Sequence, residues 1–344
     1  MITLLEDDPR LTIIHHSDQR GDWATSGRRI LFKARNSSIW ELLGQFPFVM
    51  KREIFGWNRI TQRLARADKC LLFPSSDGTL IGIRSGNIYR FEDGKAHCIM
   101  ESLQGDCPLH RSMCEPEAGI LYFGEYFMNP KRQEVRIIRI MDQGTRWEIA
   151  YSFKPGEIRH VHGIYLDPFL IGRMWVTTGD LQGENYIFHT DDHFNTLIRH
   201  GDGSQRYRAV GLHFSESSVM WATDSPLEQN YSVCMDRKTN QTITHQPFPS
   251  SCWYSTTTTD GLFLTSSAVE KGPAVNTNFG TVWASENGYN WEKMVSFRKD
   301  KLPMPLFKWG TISFPSGSYP SSRVWISGEA LSGLDGRSKK YSFR

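Results

Sequence analysis

The 344-residue chain has no Cys-x-x-Cys pair, no run of one charge sign, no long apolar stretch and almost no sustained 3.6-residue periodicity. Its six cysteines are Cys70, Cys98, Cys107, Cys114, Cys234 and Cys252. Without paired spacing they do not form a cysteine-held zinc site. They are expected as buried free thiols, with a Cys107–Cys114 bridge allowed by the spacing but not required. The 40 Lys and Arg nearly balance 37 Asp and Glu, for a net charge of +3. That balance, with no basic tail, argues against a nucleic-acid partner. No stretch nears the roughly 18 apolar residues of a membrane span, so no membrane insertion is expected. The acidic start, Met1 to Asp8, is unlike a secretory signal. As it stands the sequence reads as cytoplasmic, and as extracytoplasmic only if it has been trimmed. Oligomeric state is not legible.

What is present is repetition. Trp40-Glu41-Leu42-Leu43-Gly44-Gln45-Phe46, Trp147-Glu148-Ile149-Ala150-Tyr151-Ser152-Phe153 and Trp291-Glu292-Lys293-Met294-Val295-Ser296-Phe297 share one pattern, Trp-Glu-x-x-x-(Gln/Ser)-Phe. Repetition of this kind points to stacked copies of one supersecondary unit. Seven short β-rich runs recur every 40 to 60 residues or so: Ile30–Phe32, Leu71–Phe73, Ile120–Phe123, Met174–Val176, Val219–Trp221, Leu262–Leu264 and Val324–Ile326. That spacing suits a four-stranded antiparallel blade. The sequence therefore predicts an all-β, seven-bladed β-propeller occupying residues 1–344 as a single domain. Its last blade looks one strand short, and the amino-terminal segment around residues 10–16 is expected to complete it and close the ring. The one helical candidate is Thr61 to Ala67.

The turns before the tryptophans resemble the Asp-box motif of sialidase-like propellers, Ser/Thr-x-Asp-x-Gly-x-x-Trp. Asp142-Gln143-Gly144-Thr145-Arg146-Trp147 matches its last six positions, with Ile140 where Ser or Thr belongs. Ala284 to Trp291 keeps Gly288 and Trp291, and Thr190 to Leu197 keeps Thr190 and Asp192. The resemblance implies that these residues are structural: Asp accepts backbone N–H bonds, Gly takes a positive φ and Trp packs between sheets. It implies little about activity, because propellers of this kind include hydrolases, lyases and receptors.

In such a blade the strands run from a, at the axis, to d, at the rim. The Asp-box turn joins c to d, and ligands bind at the opposite face. That face gathers Glu125, Tyr126, Asp180, Asp224 and Glu228 from the ends of b strands. The starts of a strands add His110, Arg111, Arg159, His160, His162, Gln205, Arg208, Trp253, Tyr254, Lys308 and Trp309. His160 and His162, two apart in a strand, point the same way. Arg206 shares a strand face with Arg208, and Arg208 is preferred because apolar Ala209-Val210 follows it. Cations and aromatic faces together suggest an acidic, uronate-containing glycan.

Three functions follow. Lyase-type β-elimination leads: Arg159, Arg208 or Lys308 would neutralise the uronate, His160 or His162 would act as base, and Tyr126 or the other histidine as acid. Glycoside hydrolysis by a carboxyl pair drawn from Glu125, Asp180, Asp224 and Glu228 is the alternative. A non-catalytic glycan- or protein-binding propeller is the third. No cofactor is required. A divalent metal would call on His160 and His162, with Gln205 or Glu125.

Overall fold

The computed structural model describes residues 2–343. Seven sheets form seven blades in a ring, each with four antiparallel main strands. The innermost strands are Ile13–Ser17, Leu71–Pro74, Met113–Glu117, His160–Leu166, His213–Phe214, Cys252–Thr257 and Thr311–Ser313. Facing blades bury aliphatic and aromatic side chains between them, as where Val161, Ile164, Met174 and Val176 meet Tyr122, Val135 and Ile137. Sheets packed face to face leave little room for helices, which explains the missing 3.6-residue periodicity.

The ring is closed by an amino-terminal strand, but not the expected one. Ile2–Asp8 pairs antiparallel with Arg337–Phe343 as the outermost strand of the seventh blade. The segment around residues 10–16 instead leads into the innermost strand of the first blade, Ile13–Ser17. Glu6, Asp7 and Asp8 disguise the closing strand by giving it an acidic, loop-like composition. Its carboxylates are matched in place: Glu6 accepts from Lys33 at 2.6 Å and from Lys340 at 2.8 Å. A second clasp lies near the axis, where Ser316–Gly317 pairs parallel with His16 and Ser17.

Five of the seven β-rich runs lie in b strands. Ile30–Phe32 lies instead in a c strand, and Leu71–Phe73 in an a strand. The Trp-Glu repeats do mark d strands, although their staples differ from expectation. Trp291 is buried and donates to Gly288 O at 3.0 Å. Trp147 is 36% exposed and staples nothing. At the Ala284 turn the work falls one residue later than the motif predicts. Ser285 Oγ accepts from Gly288 N at 2.8 Å, and Asn287 Oδ1 accepts from Tyr289 N and Asn290 N, each at 2.9 Å. Gly288 sits at φ 77°, where a side chain would be strained. Asp192 caps its turn by accepting from Thr196 N at 2.9 Å.

All six cysteines are free, so no Cys107–Cys114 bridge forms. Cys98 is exposed and Cys234 half-buried, against the expectation of burial throughout.

The d-to-a connection between the first two blades carries two short helices, α1 (Met50–Glu53) and α2 (Arg59–Ala65). Asn58 caps α2 by accepting from Thr61 N at 3.0 Å. A third helix, α3 (Met304–Phe307), precedes the innermost strand of the seventh blade. Buried Arg63 ties α2 to it, with its guanidinium on Phe307 O and Asp300. No helix among the described residues is long and apolar enough to cross a membrane.

Candidate functional site

A cavity of about 390 Å³ opens on the face formed by the d-to-a and b-to-c connections. This is the face on which the sequence placed the candidate residues. Tyr126, His160, Asp180, His110, Trp253, Tyr254, Lys308 and Trp309, all anticipated from sequence, line it together. They come from four different blades, because the innermost strands converge there.

Asp180 organises the deepest wall. It leaves strand Met174–Gly179 and meets His160 and His162, which project from the adjacent strand His160–Leu166. His162 Nε2 lies 3.1 Å from Asp180 Oδ1, and His160 Nε2 lies 3.4 Å from the same oxygen. Arg159 donates to Oδ2 at 2.8 Å, and Arg208 Nη2 approaches Oδ1 at 3.1 Å. These hydrogen bonds and charges hold the Asp180 carboxyl well below the usual range, against a burial that would raise it. Burial pushes the His162 imidazole down. Tyr126 lies over His160, ring centres 4.3 Å apart, and burial pushes its phenol up.

Other predicted residues lie elsewhere or are otherwise engaged. Glu125 is fully buried and accepts from Gln104 N at 2.8 Å, Arg136 N at 3.0 Å and Arg136 Nε at 3.0 Å. Gln205 sits in a 3-10 turn, not a strand, and its amide links Asp180 O at 2.9 Å to Ser225 Oγ at 2.7 Å. The acceptor sites of Glu125 are all taken, and the Gln205 amide is held between its two partners. Asp224 is buried behind Arg208, which reaches it at 3.2 Å, and burial raises its carboxyl well above the usual range. Of the arginine pair, Arg208 turns inward and Arg206 is exposed. Arg111 points away from the cavity to Pro315 O, and Glu228 is exposed on a loop.

Sequence reasoning missed the wall supplied by the α1–α2 connection: Arg59, Arg66, Asp68 and Lys69. The signal was available in Asn58, a helix cap, followed by Ile60 and Leu64 four apart. The charges of the lining are unevenly engaged. Asp68 pairs with Arg59, Asp106 with Arg52, Asp180 with Arg159 and Arg208, and Glu329 with Lys308. Lys69 and Arg66 make no ion pair among the described residues. Lys69 Nζ stands 5.9 Å over the Tyr126 ring. Outside the cavity the same connection exposes Ile54, Phe55, Trp57, Ile60 and Leu64, with Trp57 79% exposed.

No family model matches the chain, and no curated protein does. Solved structures do. The structure of YCF48 bound to D1 peptide aligns at TM-score 0.57 and 10% identity, covering 100% of this chain and 95% of that one. The crystal structure of Saccharomyces cerevisiae Sqt1 aligns at TM-score 0.55 and 9% identity, covering 94% and 83%. A chain of the Mitotic Checkpoint Complex aligns at TM-score 0.55 and 10% identity, covering 99% and 92%. At such identity these likenesses establish the β-propeller fold and leave the Asp-box family resemblance unsupported.

Proposed function

We propose that the chain is a non-catalytic binding propeller whose cavity takes an acidic, partly apolar segment of a partner protein. One observation carries this reading. Every carboxylate lining the cavity is paired, whereas Arg66 and Lys69 are not, and both sit beside the exposed apolar residues of the α1–α2 connection. Unpaired cations at a concave mouth attract an anion, and an adjacent apolar surface rewards a segment with side chains to bury. Two of the structural likenesses fit such a role, one bound to a peptide and one drawn from a multiprotein complex.

The test is direct binding of labelled acidic–apolar peptides, read by fluorescence anisotropy across a salt series. Combined Arg66→Glu and Lys69→Glu should weaken binding by about tenfold or more and flatten the salt dependence. Unchanged affinity in that variant sinks the reading.

β-Elimination on an acidic glycan is the second reading, supported by the His160 and Tyr126 rings, tilted against each other with centres 4.3 Å apart on the cavity wall. Against it, Arg159 and Arg208 already face Asp180 and Lys308 faces Glu329. Incubation with uronate polysaccharides would reveal this activity as ultraviolet absorbance from the unsaturated product. Hydrolysis is the least supported, because Glu125 and Asp224 are sealed and Glu228 lies outside the cavity.

A further inference from the structure

In their neutral forms the two imidazoles at Asp180 carry fewer protons than the atoms around them can accept. His160 Nδ1 lies 2.8 Å from Phe127 O, and His162 Nδ1 lies 2.9 Å from Ala209 O. A carbonyl oxygen only accepts, so each Nδ1 carries the proton and donates it. In a neutral imidazole the Nε2 is then a bare lone pair. Both Nε2 lone pairs face Asp180 Oδ1, itself an acceptor, at 3.4 and 3.1 Å. Reversing a tautomer only moves the clash to a backbone carbonyl. Two neutral rings thus bring two protons to four acceptor contacts. The His160 side chain is only 3% exposed, and its Nε2 has no hydrogen-bond partner.

Protons on both Nε2 atoms, or one cation held among the three donor atoms, would meet that demand, and the spacing of the donors suits a cation. We propose that His160, His162 and Asp180 hold a divalent transition-metal ion of the zinc class, with its remaining coordination position open to the cavity. The three donor atoms lie within 4.8 Å of one another. Bonds of about 2.05 Å in a tetrahedron place neighbouring ligand atoms about 3.3 Å apart. The two histidine-to-carboxylate separations, 3.4 and 3.1 Å, bracket that edge. The outer arrangement is also that of a metal centre. Each ligating ring is oriented by an Nδ1–H bond to a backbone carbonyl, which fixes the tautomer and leaves Nε2 to bind. Arg208 uses one lone pair of Oδ1 and leaves another for the ion. The ligand set departs from the sequence expectation, with Asp180 in place of Gln205 or Glu125. The proposal stands apart from the binding role above, since it concerns the wall built on Asp180 and not the one built by the α1–α2 connection.

The experiment is metal uptake by the intact chain. Chelator-stripped protein is equilibrated separately with Zn²⁺, Co²⁺ and Mn²⁺, gel-filtered, and assayed for metal by elemental analysis. One equivalent of Zn²⁺ or Co²⁺ is expected to be retained, with a rise in thermal midpoint that chelation reverses. His160→Gln and His162→Gln together should abolish uptake. Folding of that variant is checked by circular dichroism, and the wild-type stoichiometry does not depend on it. Failure of the wild-type chain to retain any of the three ions overturns the assignment. So does undiminished uptake by the folded double variant.

Discussion

Trp325 donates its indole N–H to Asp22 Oδ2 at 3.0 Å, tying the seventh blade to the first across 303 residues of sequence. The ring is wholly buried and has two ammonium groups near it, Lys340 Nζ 4.4 Å and Lys33 Nζ 5.3 Å from its centre. Asp22 is further held by Ser17 Oγ at 2.6 Å. Trp325→Phe keeps an aromatic ring but removes a hydrogen bond to a charged acceptor. The variant should lose about 2–3 kcal/mol. Urea unfolding should show a lower midpoint at unchanged slope, and an unchanged midpoint would remove this contact from the closure of the ring.

Asp180 balances two guanidiniums as well as two imidazoles. Asp180→Ala takes from Arg159 the carboxylate it pairs with and leaves Arg208 with Asp224 alone. Removing one partner from a buried charged cluster destabilises by about 3–5 kcal/mol. Asp180→Asn, which retains acceptor oxygen and shape, should be milder. Denaturant melts of both variants test the order, and equal stability of Ala and wild type would refute it.

His213 reports on acid unfolding. It is fully buried, bonded through Nδ1 to Thr257 Oγ1 at 3.0 Å, and burial pushes its imidazole from 6.5 down to about 3. The folded chain therefore keeps it neutral where the unfolded chain binds a proton. Its contribution is intact above 6.5 and is lost progressively as pH falls toward 3. His213→Asn preserves a donor toward Thr257 and removes the titration. Stability in the variant should fall less steeply over that window, by at most about 1.4 kcal/mol per pH unit. Parallel stability-versus-pH curves for the two proteins would contradict this.

Trp57 is a reporter for the binding face. At 79% exposure, Trp57→Ser should change stability by no more than about 0.5 kcal/mol. The same change should weaken capture of an acidic–apolar peptide severalfold. In the wild type, peptide binding should shift tryptophan emission to shorter wavelength and protect it from iodide quenching. Equal peptide affinity in Trp57→Ser would place the contact elsewhere.

Much of this was legible in sequence, for identifiable reasons. His160 and His162 were singled out by the period of two, and both Nε2 atoms lie beside Asp180, but only His160 lines the cavity because the register breaks between Val161 and Gly163. The face that carries the cavity was legible because loop polarity follows from blade connectivity. Glu125, Gln205 and Asp224 misled because sequence shows that a polar side chain is near an end of a strand, not whether a neighbour already uses it. Arg136, Ser225 and Arg208 are those neighbours. The α1–α2 wall was missed because reading Thr61 to Ala67 as helical does not show that the d-to-a connection folds it back over the cavity. The closing strand was hidden because Glu6 and Asp8 suit a loop until Lys33, Lys340 and Arg10 are set beside them.

Pairing of Ile2 with Phe343 also imposes an order in time. On a ribosome, Ile2–Asp8 is made long before Arg337–Phe343, its only neighbour in the sheet, and it must wait through the synthesis of the strands between. A waiting strand with Leu4 and Leu5 is an invitation to pair with the wrong edge. Glu6, Asp7 and Asp8 repel such partners, and the break in register between Leu4 and Glu6 spoils the flat template they would need. The acidity that made this segment look like a loop is what lets it remain single until its partner arrives.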